Sequence, residues 1–382
     1  MKILITSDYY DPEVNGVVTS IKNLKSGLEK DGHEVRILTL AYNLREEKSG
    51  EVYYIGSFSV AMIYPNARIV IPKNYSLIKE LIAWKPDVIH SQCEFSTFVY
   101  ARQISAKTGA PIVHTYHTVY EGYTHYFCPS KILGRNMVSK FTRQVSKKAN
   151  AFIVPTEKMY NMLEGYHVNT HMEVIPSGIN LDRYEKDFRE SRERIRRQYG
   201  ISKNQCVLLF LGRLAKEKNV DELISFISKG NDPKLRLMIV GDGPCREKLK
   251  KKCKEVGMED ITVFTGMVKP EQVPEYYSAG DIFVNASTSE TQGLTYMEAM
   301  ASGLPILCRQ DNCLDGVVEN EINGFIYHDE KEFLNYLSVL SNSPIQRFAV
   351  GHNAKKTIQD RYSIESFTKS CENLYVKCGA TG

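Results

Sequence analysis

Two glutamates, Glu290 and Glu298, stand eight positions apart in SETQGLTYMEAMASGLPIL, Ser289 to Leu307. The first precedes Gly293, where a helix opens; the second lies about a turn and a half beyond that glycine. Arg213 and Lys218 follow an apolar run in FLGRLAKEKN, and VGDGP forms a tight turn from Gly241 to Pro244. These are parts that can bind a nucleoside diphosphate and expel it. Negative charge grows on the distal phosphate as it leaves, so fixed cations and free backbone N–H groups are needed beside it. Arg213 offers a guanidinium fork and Lys218 an ammonium. Gly293 and Leu294 offer the amides of a helix start. Glu290 can then face whatever lies beyond the distal phosphate, and Glu298, deeper on the helix, can accept from a ribose diol.

Such groups work only if strands and helices hold them. Short apolar runs alternate with amphipathic stretches from end to end, which predicts parallel sheets with crossover helices. In the first half the strands are KILITS, EVRILTL, VYYIGS, DVIHSQ, PIVHTYH and AFIVPT. In the second they are CVLLFLGRL, LRLMIVGDGP, ITVFTGMV, IFVNAST and PILCRQ. Ile21, Leu24 and Leu28 share one helical face, and Gly32 follows as a stop. YEKDFRESRERIRRQYG, almost without apolar periodicity, reads as a solvated helix near a seam. At 382 residues the chain is too long for one ordinary core. The pattern predicts an α/β chain of two facing Rossmann-like domains, with ligands at the carboxyl ends of the strands in the cleft between them. The expected spans are 1–170 and 171–361, with a last helix at about 362–382 packing back on the first.

Composition narrows the function. An apolar share of 42% with 25% charged residues describes a soluble folded protein. A net charge of +4 leaves any electrostatic message to local clusters and argues against nucleic acid as partner. No apolar run reaches about eighteen residues, so no spanning helix is expected. MKILITSDYY has too short an apolar run for a leader and reads as a first strand. Nine cysteines without a CxxC pair read as reduced structural thiols. No G-x-G-x-x-G follows the first strand, which disfavours a dinucleotide oxidoreductase. No D-x-D occurs either, so Arg213, Lys218 and the helix start are expected to do the work of a metal.

GRLAKEKN, VGDGP, SETQGLTYMEAMASGLPIL and NGFIY, with DPEVNGVVTSI and PIVHTYH in the first half, resemble the retaining glycosyltransferases of the GT-B fold that carry an E-x7-E motif. The resemblance covers essentially the whole chain. It implies that Glu290 contacts the donor sugar, Glu298 the ribose, and Arg213 and Lys218 the diphosphate. Asn15, Gly16, Gly241, Val268, Gly293, Leu294 and Thr295 complete the implied donor set, and His117 joins Glu290, Arg213 and Lys218 as catalytic. His117 and the Asn15–Gly16 loop would close over the donor from the other domain. The leaving phosphate itself takes the acceptor's proton in such enzymes, so no side chain is named as base and no metal or cofactor is expected. The chain departs from many relatives at two places, with Asn15–Gly16 for a double glycine and Asn219 for a glycine.

The acceptor side is more individual. No aspartate or glutamate occurs from Gly122 to Thr156, where Lys131, Arg135, Lys140, Arg143, Lys147 and Lys148 gather. On a helical wheel Leu133, Met137, Val138, Phe141 and Val145 share an arc opposite most of these cations. That predicts a basic amphipathic helix lying in an anionic membrane surface, or a crossover helix with its apolar face on the core. Both hold if one end of the helix alone dips into lipid. Upstream, HTYHTVYEGYTHYF packs Tyr116, Tyr120, Tyr123, Tyr126 and Phe127 between histidines. Such a cluster suits an interfacial pocket, a stacking platform for a second sugar, or plain core packing. HTYHTVYEGYTHY and ETQGLTYMEA are similar to bacterial diacylglycerol glucosyltransferases. This implies transfer of glucose from UDP-glucose to diacylglycerol by a cytoplasmic protein peripheral on the inner face of the cell membrane. Tyr120, Tyr123, Tyr126, Lys131, Arg135, Lys140 and Arg143 would then meet membrane and acceptor. The alternatives are a soluble sugar or another lipid as acceptor, and UDP-galactose as donor.

Overall fold

A computed structural model describes residues 1–13, 15–60, 67–71, 73–121, 130–230 and 232–380. The chain divides into two compact units, Met1–Gly178 with Ile364–Gly382, and Ile179–Ser363.

In the first unit the strands are β1 (Lys2–Thr6), β2 (Glu34–Leu40), β3 (Glu47–Ser49), β4 (Val52–Ile55) and β5 (Ser57–Ser59). They continue as β6 (Arg68–Val70), β7 (Val88–Ser91), β8 (Ile112–Thr115), β9 (Ala151–Val154) and β10 (His171–Val174). The helices are α1 (Gly16–Lys30), α2 (Ser76–Trp84), α3 (Ser96–Thr108), α4 (Lys131–Ser146) and α5 (Glu157–Gly165). Eight strands form one sheet in the order β10-β9-β8-β7-β1-β2-β4-β3, parallel except where β3 runs against β4. β5 and β6 make a separate antiparallel pair. Side chains alternate across the sheet: Ile3 and Ile5 pack with Ile21, Leu24 and Leu28 of α1, whereas Leu4 and Leu38 belong to the opposite layer with Phe98 and Ile104 of α3. Both faces are covered, which is why the strands read as continuous apolar runs.

The second unit repeats the plan. Its strands are β11 (Cys206–Leu211), β12 (Leu235–Val240), β13 (Thr262–Gly266), β14 (Ile282–Asn285), β15 (Ile306–Arg309) and β16 (Phe325–Tyr327). Its helices are α6 (Arg189–Gln198), α7 (Val220–Gly230), α8 (Arg246–Glu255), α9 (Val273–Ala279), α10 (Leu294–Ala301), α11 (Glu330–Asn342) and α12 (Pro344–Arg361). The sheet is parallel throughout, in the order β13-β12-β11-β14-β15-β16.

The last helix, α13 (Ile364–Lys377), returns to the first unit and lies on α1. The contact is close because α1 has a glycine there: a Cβ on Gly27 would stand 2.0 Å from the Thr368 hydroxyl. The seam falls at Gly178 instead of 170, because β10 pairs with β9 and extends the first sheet. The solvated reading of α6 also needs correction. Its Arg192 and Arg196 both reach the Asp281 carboxylate at 2.6 Å, and Ile195 is buried. Burial opposes the Asp281 charge, but the two guanidiniums outweigh it and hold the carboxyl below its ordinary range.

Candidate active site

The sequence-marked groups of the second unit hang on the carboxyl ends of its strands or open the helix beyond them. β11 runs into Gly212 and Arg213, then a single 3-10 turn, Lys216–Lys218. β12 ends at Gly241, whose φ of 132° and position suit only glycine: a Cβ there would lie 2.0 Å from the Gly212 carbonyl oxygen. The two turns therefore touch. The Gly212 amide donates to Val240 O at 3.0 Å, and the Leu214 amide to Asp242 O at 2.9 Å. Between these bonds Arg213 is exposed and pairs with no described carboxylate. Lys218 points elsewhere, its Nζ donating to Glu290 Oε1 at 2.5 Å. The loop after β14 is clipped to the same turn, since the Ser287 and Ser289 hydroxyls donate to Glu217 O at 3.3 and 3.5 Å.

Helix α10 opens at Gly293, which is left-handed at φ 73° and ψ 58°. The Tyr296 ring fills the space where a Cβ would project, 2.3 Å from Cδ2. No side chain caps the helix, and the amides of Leu294 and Thr295 have no intrahelical acceptor. Their positive end of the helix favours an anion. Glu298, further along, accepts from the Tyr277 hydroxyl at 2.9 Å and is also bonded by Tyr184. Burial pushes its carboxyl upward, against those bonds and the nearby Arg183 charge. The lining tyrosines Tyr184 and Tyr277 went unnoticed in the sequence, where they are ordinary aromatics of a turn and a helix. Val268, after β13, is half-buried against the same core.

In the first unit Asn15 turns out to be the cap of α1. Its side-chain oxygen accepts the Val18 amide at 3.0 Å, and its carbonyl accepts that of Thr19 at 3.1 Å. Gly16 is the first helical residue. Beyond β7 and β8 lies a network that sequence reasoning marked only at His117 and Tyr120. His117 Nε2 bonds Gln92 Oε1 at 2.6 Å. Burial lowers this imidazole to about 4, against the opposing charge of Glu94, so the ring is neutral at pH 7. Glu94 accepts from the Tyr120 hydroxyl at 2.5 Å and bonds His114 Nε2 at 3.2 Å. The signal was present in SQCEFS, two polar residues directly after a buried strand. Tyr120 stands edge-on to Phe95, which stacks on Phe141 of α4. Tyr123, Tyr126 and the Lys131 side chain lie outside the described residues.

The arc expected along α4 is split by the core. Val138 and Val145 are buried and Phe141 half-buried against it, whereas Leu133 and Met137, with Ile132, are exposed near the start of the helix. Arg135 pairs with Glu121 at 3.1 Å, Lys140 is exposed and Arg143 half-buried. Only the first turns of the helix leave the core with apolar and basic groups together. Among the described residues no helix is long and apolar enough to cross a membrane, and no cluster of His, Cys, Asp and Glu is arranged to hold a metal ion.

Comparison with known proteins agrees with this architecture. Residues 14–183 match the family model described as Glycosyltransferase Family 4, and residues 191–357 that described as Glycosyl transferases group 1. The chain is 34% identical over 384 residues to the alpha-monoglucosyldiacylglycerol synthase of Streptococcus pneumoniae, covering 98% of this chain and 86% of that protein. It is 34% identical to the enzyme of the same name from Acholeplasma laidlawii, covering 98% of this chain and 97% of that one. Among solved structures, Anabaena HepE in complex with UDP and glucose superposes with a TM-score of 0.77 at 16% identity, over 99% of this chain and 100% of that one. That likeness speaks for the fold alone.

Proposed function

The chain belongs to the GT-B glycosyltransferases, and we propose that within them it moves glucose from UDP-glucose to membrane diacylglycerol, giving alpha-monoglucosyldiacylglycerol with retention. The observation that carries the donor half is the Lys218–Glu290 pair, held by two clipped loops beside the exposed Arg213 and the open start of α10. The 34% identity to two monoglucosyldiacylglycerol synthases over nearly the whole chain supports the acceptor.

In this reading Arg213, Lys218 and the amides of Leu294 and Thr295 receive the diphosphate. They stabilise the charge that grows as the anomeric carbon–phosphate oxygen bond breaks. Arriving diphosphate competes with Glu290 for Lys218, which frees the carboxylate to bond the sugar hydroxyls. Glu298, oriented by Tyr277, takes the ribose diol. The acceptor oxygen bonds the anomeric carbon on the face the phosphate leaves, and its proton passes to the departing phosphate oxygen. His117, neutral and oriented by Gln92, serves as a hydrogen-bonding group toward the sugar. With these cations in place turnover needs no divalent metal, and full activity in EDTA is expected.

Lipid reaches the first unit at the start of α4, where Leu133 and Met137 enter the interface and Arg135 meets anionic headgroups, with Lys140 and Arg143 further along the helix adding to the attraction. The test is a radiolabelled transfer assay with UDP-glucose and UDP-galactose separately, diacylglycerol in anionic mixed micelles, and products separated as lipids. Labelled lipid from UDP-glucose alone supports the donor and the acceptor together. No lipid product, with UDP still bound tightly, moves the acceptor to a soluble sugar.

A further inference from the structure

Asn219 joins Lys218 to α7, and its backbone is left-handed, at φ 51° and ψ 34°. A residue with a Cβ resists that conformation unless local bonds hold it. Here they are specific. Asn219 Nδ2 donates to Glu222 Oε2 at 2.9 Å, and the Glu222 amide donates to the Asn219 carbonyl at 3.1 Å. The other oxygen of the same carboxylate, Oε1, accepts from Arg309 Nη1 at 2.8 Å and from the Tyr327 hydroxyl at 3.0 Å. Arg309 is the last residue of β15 and Tyr327 the last of β16. Glu222 keeps only 17% side-chain exposure, so its bonds are shielded from water. One carboxylate thus gathers donors from two strand ends and from the turn that carries Lys218.

On the other side of Lys218, Glu217 O is held by Ser287 and Ser289. The lysine backbone is bracketed, fixed through Glu217 before it and Asn219 after it. Oε1 faces the two strand ends and Oε2 the turn, so this one side chain ties the turn to the sheet.

We infer that Glu222 is a positioning residue for donor capture: through Asn219 it fixes the left-handed turn that aims the Lys218 ammonium. The inference rests on Lys218 meeting the donor diphosphate. It predicts that disturbing Asn219 changes UDP affinity only while Lys218 is present to be aimed.

The experiment is calorimetric titration with UDP of Asn219→Ala and Asn219→Gly, each alone and combined with Lys218→Ala, with thermal midpoints recorded alongside. Asn219→Ala leaves the Arg309–Glu222–Tyr327 cluster in place, so the protein is expected to fold. It should weaken UDP about fivefold to tenfold, and Asn219→Gly, which reaches the left-handed region unaided, should recover most of that loss. In the Lys218→Ala background Asn219→Ala should change UDP affinity by less than about twofold. Glu222→Ala, which removes the acceptor of the Asn219 amide, should reproduce the loss. Unaltered affinity in Asn219→Ala, or an equal loss with and without Lys218, overturns the inference while leaving the donor reading intact. If Lys218→Ala alone leaves UDP affinity unchanged, the donor reading falls and the inference with it.

Discussion

At the ends of β11 and β14 the second unit leaves its charges half-open. The Lys218 and Glu290 side chains keep 24% and 13% of their exposure, and Arg213 is exposed. At the ends of β7 and β8 the first unit seals them: Glu94 and His114 are 3% and 0% exposed and bonded to each other. Both units place these groups at the carboxyl ends of parallel strands. A half-open ion pair can exchange its partner for a charged ligand at little cost, because water and ligand already compete for it. A sealed network cannot, since each group it loses is left buried and unsatisfied. The second unit is therefore equipped to exchange charged partners, and the first to hold its polar groups fixed beside apolar side chains.

The sharpest way to break this contrast is Glu290→Gln. Turnover should fall about a hundredfold to a thousandfold, the range for removing one transition-state electrostatic contact, with UDP affinity nearly kept. Equal losses of both, measured by kinetics and calorimetry, would take Glu290 off the sugar. Next, the combined change of Arg135, Lys140 and Arg143 to glutamate should release the protein from anionic liposomes. At about 1 kcal/mol per cation, the partition coefficient should drop by about a hundredfold or more. Persistent co-sedimentation would return α4 wholly to the core. Alanine at Arg213 or at Lys218 should each weaken UDP by about tenfold, the value of a hydrogen bond to a charged group. Calorimetry that finds no change would end that assignment.

The remaining effect is on pH, and it bears on the same contrast between the units. Burial lowers His117 to about 4 and His90 to about 3, from an ordinary value near 6.5. Between those limits the unfolded chain binds protons that the folded first unit refuses. The stability these rings contribute is complete above about pH 6.5 and is lost as pH falls toward 4, by at most about 1.4 kcal/mol per pH unit for each. Glu298 in the second unit works in the opposite sense: its raised carboxyl favours the fold below its ordinary range and loses that advantage as pH rises. Urea midpoints from pH 7 to 4 should fall less steeply in His117→Gln than in the native chain. Parallel curves would mean that the ring is not held neutral.

The residues that were legible in the sequence are those whose meaning is local. KILIT and CVLLFL announce buried parallel strands by themselves, and the Glu290–Gly293–Glu298 spacing needs only a turn and a helix. What stayed hidden depends on partners far along the chain. Arg196 looks solvated in the sequence because Asp281 lies 85 positions away, and Glu94 carries no sign of its partners because His114 and Tyr120 reach it only after β7 and β8 align. Short strands such as FIY of β16 and the half-exposed HMEV of β10 carry too little apolar pattern to declare themselves. The arc of α4 was visible, but where the core ends beneath it was not.

The return of α13 also sets an order of events. The chain enters the second unit at Ile179 and leaves it at Ser363, and these crossings lie side by side, the Ile179 amide donating to Tyr362 O at 2.8 Å. The second unit is thus an insertion within the first. A ribosome completes it while the first sheet still lacks the helix that buries Phe367, Leu374 and Tyr375 against it. A released chain truncated after residue 363 should therefore resist protease over 179–363 and remain cleavable over 1–178, since the beginning of the protein is finished last.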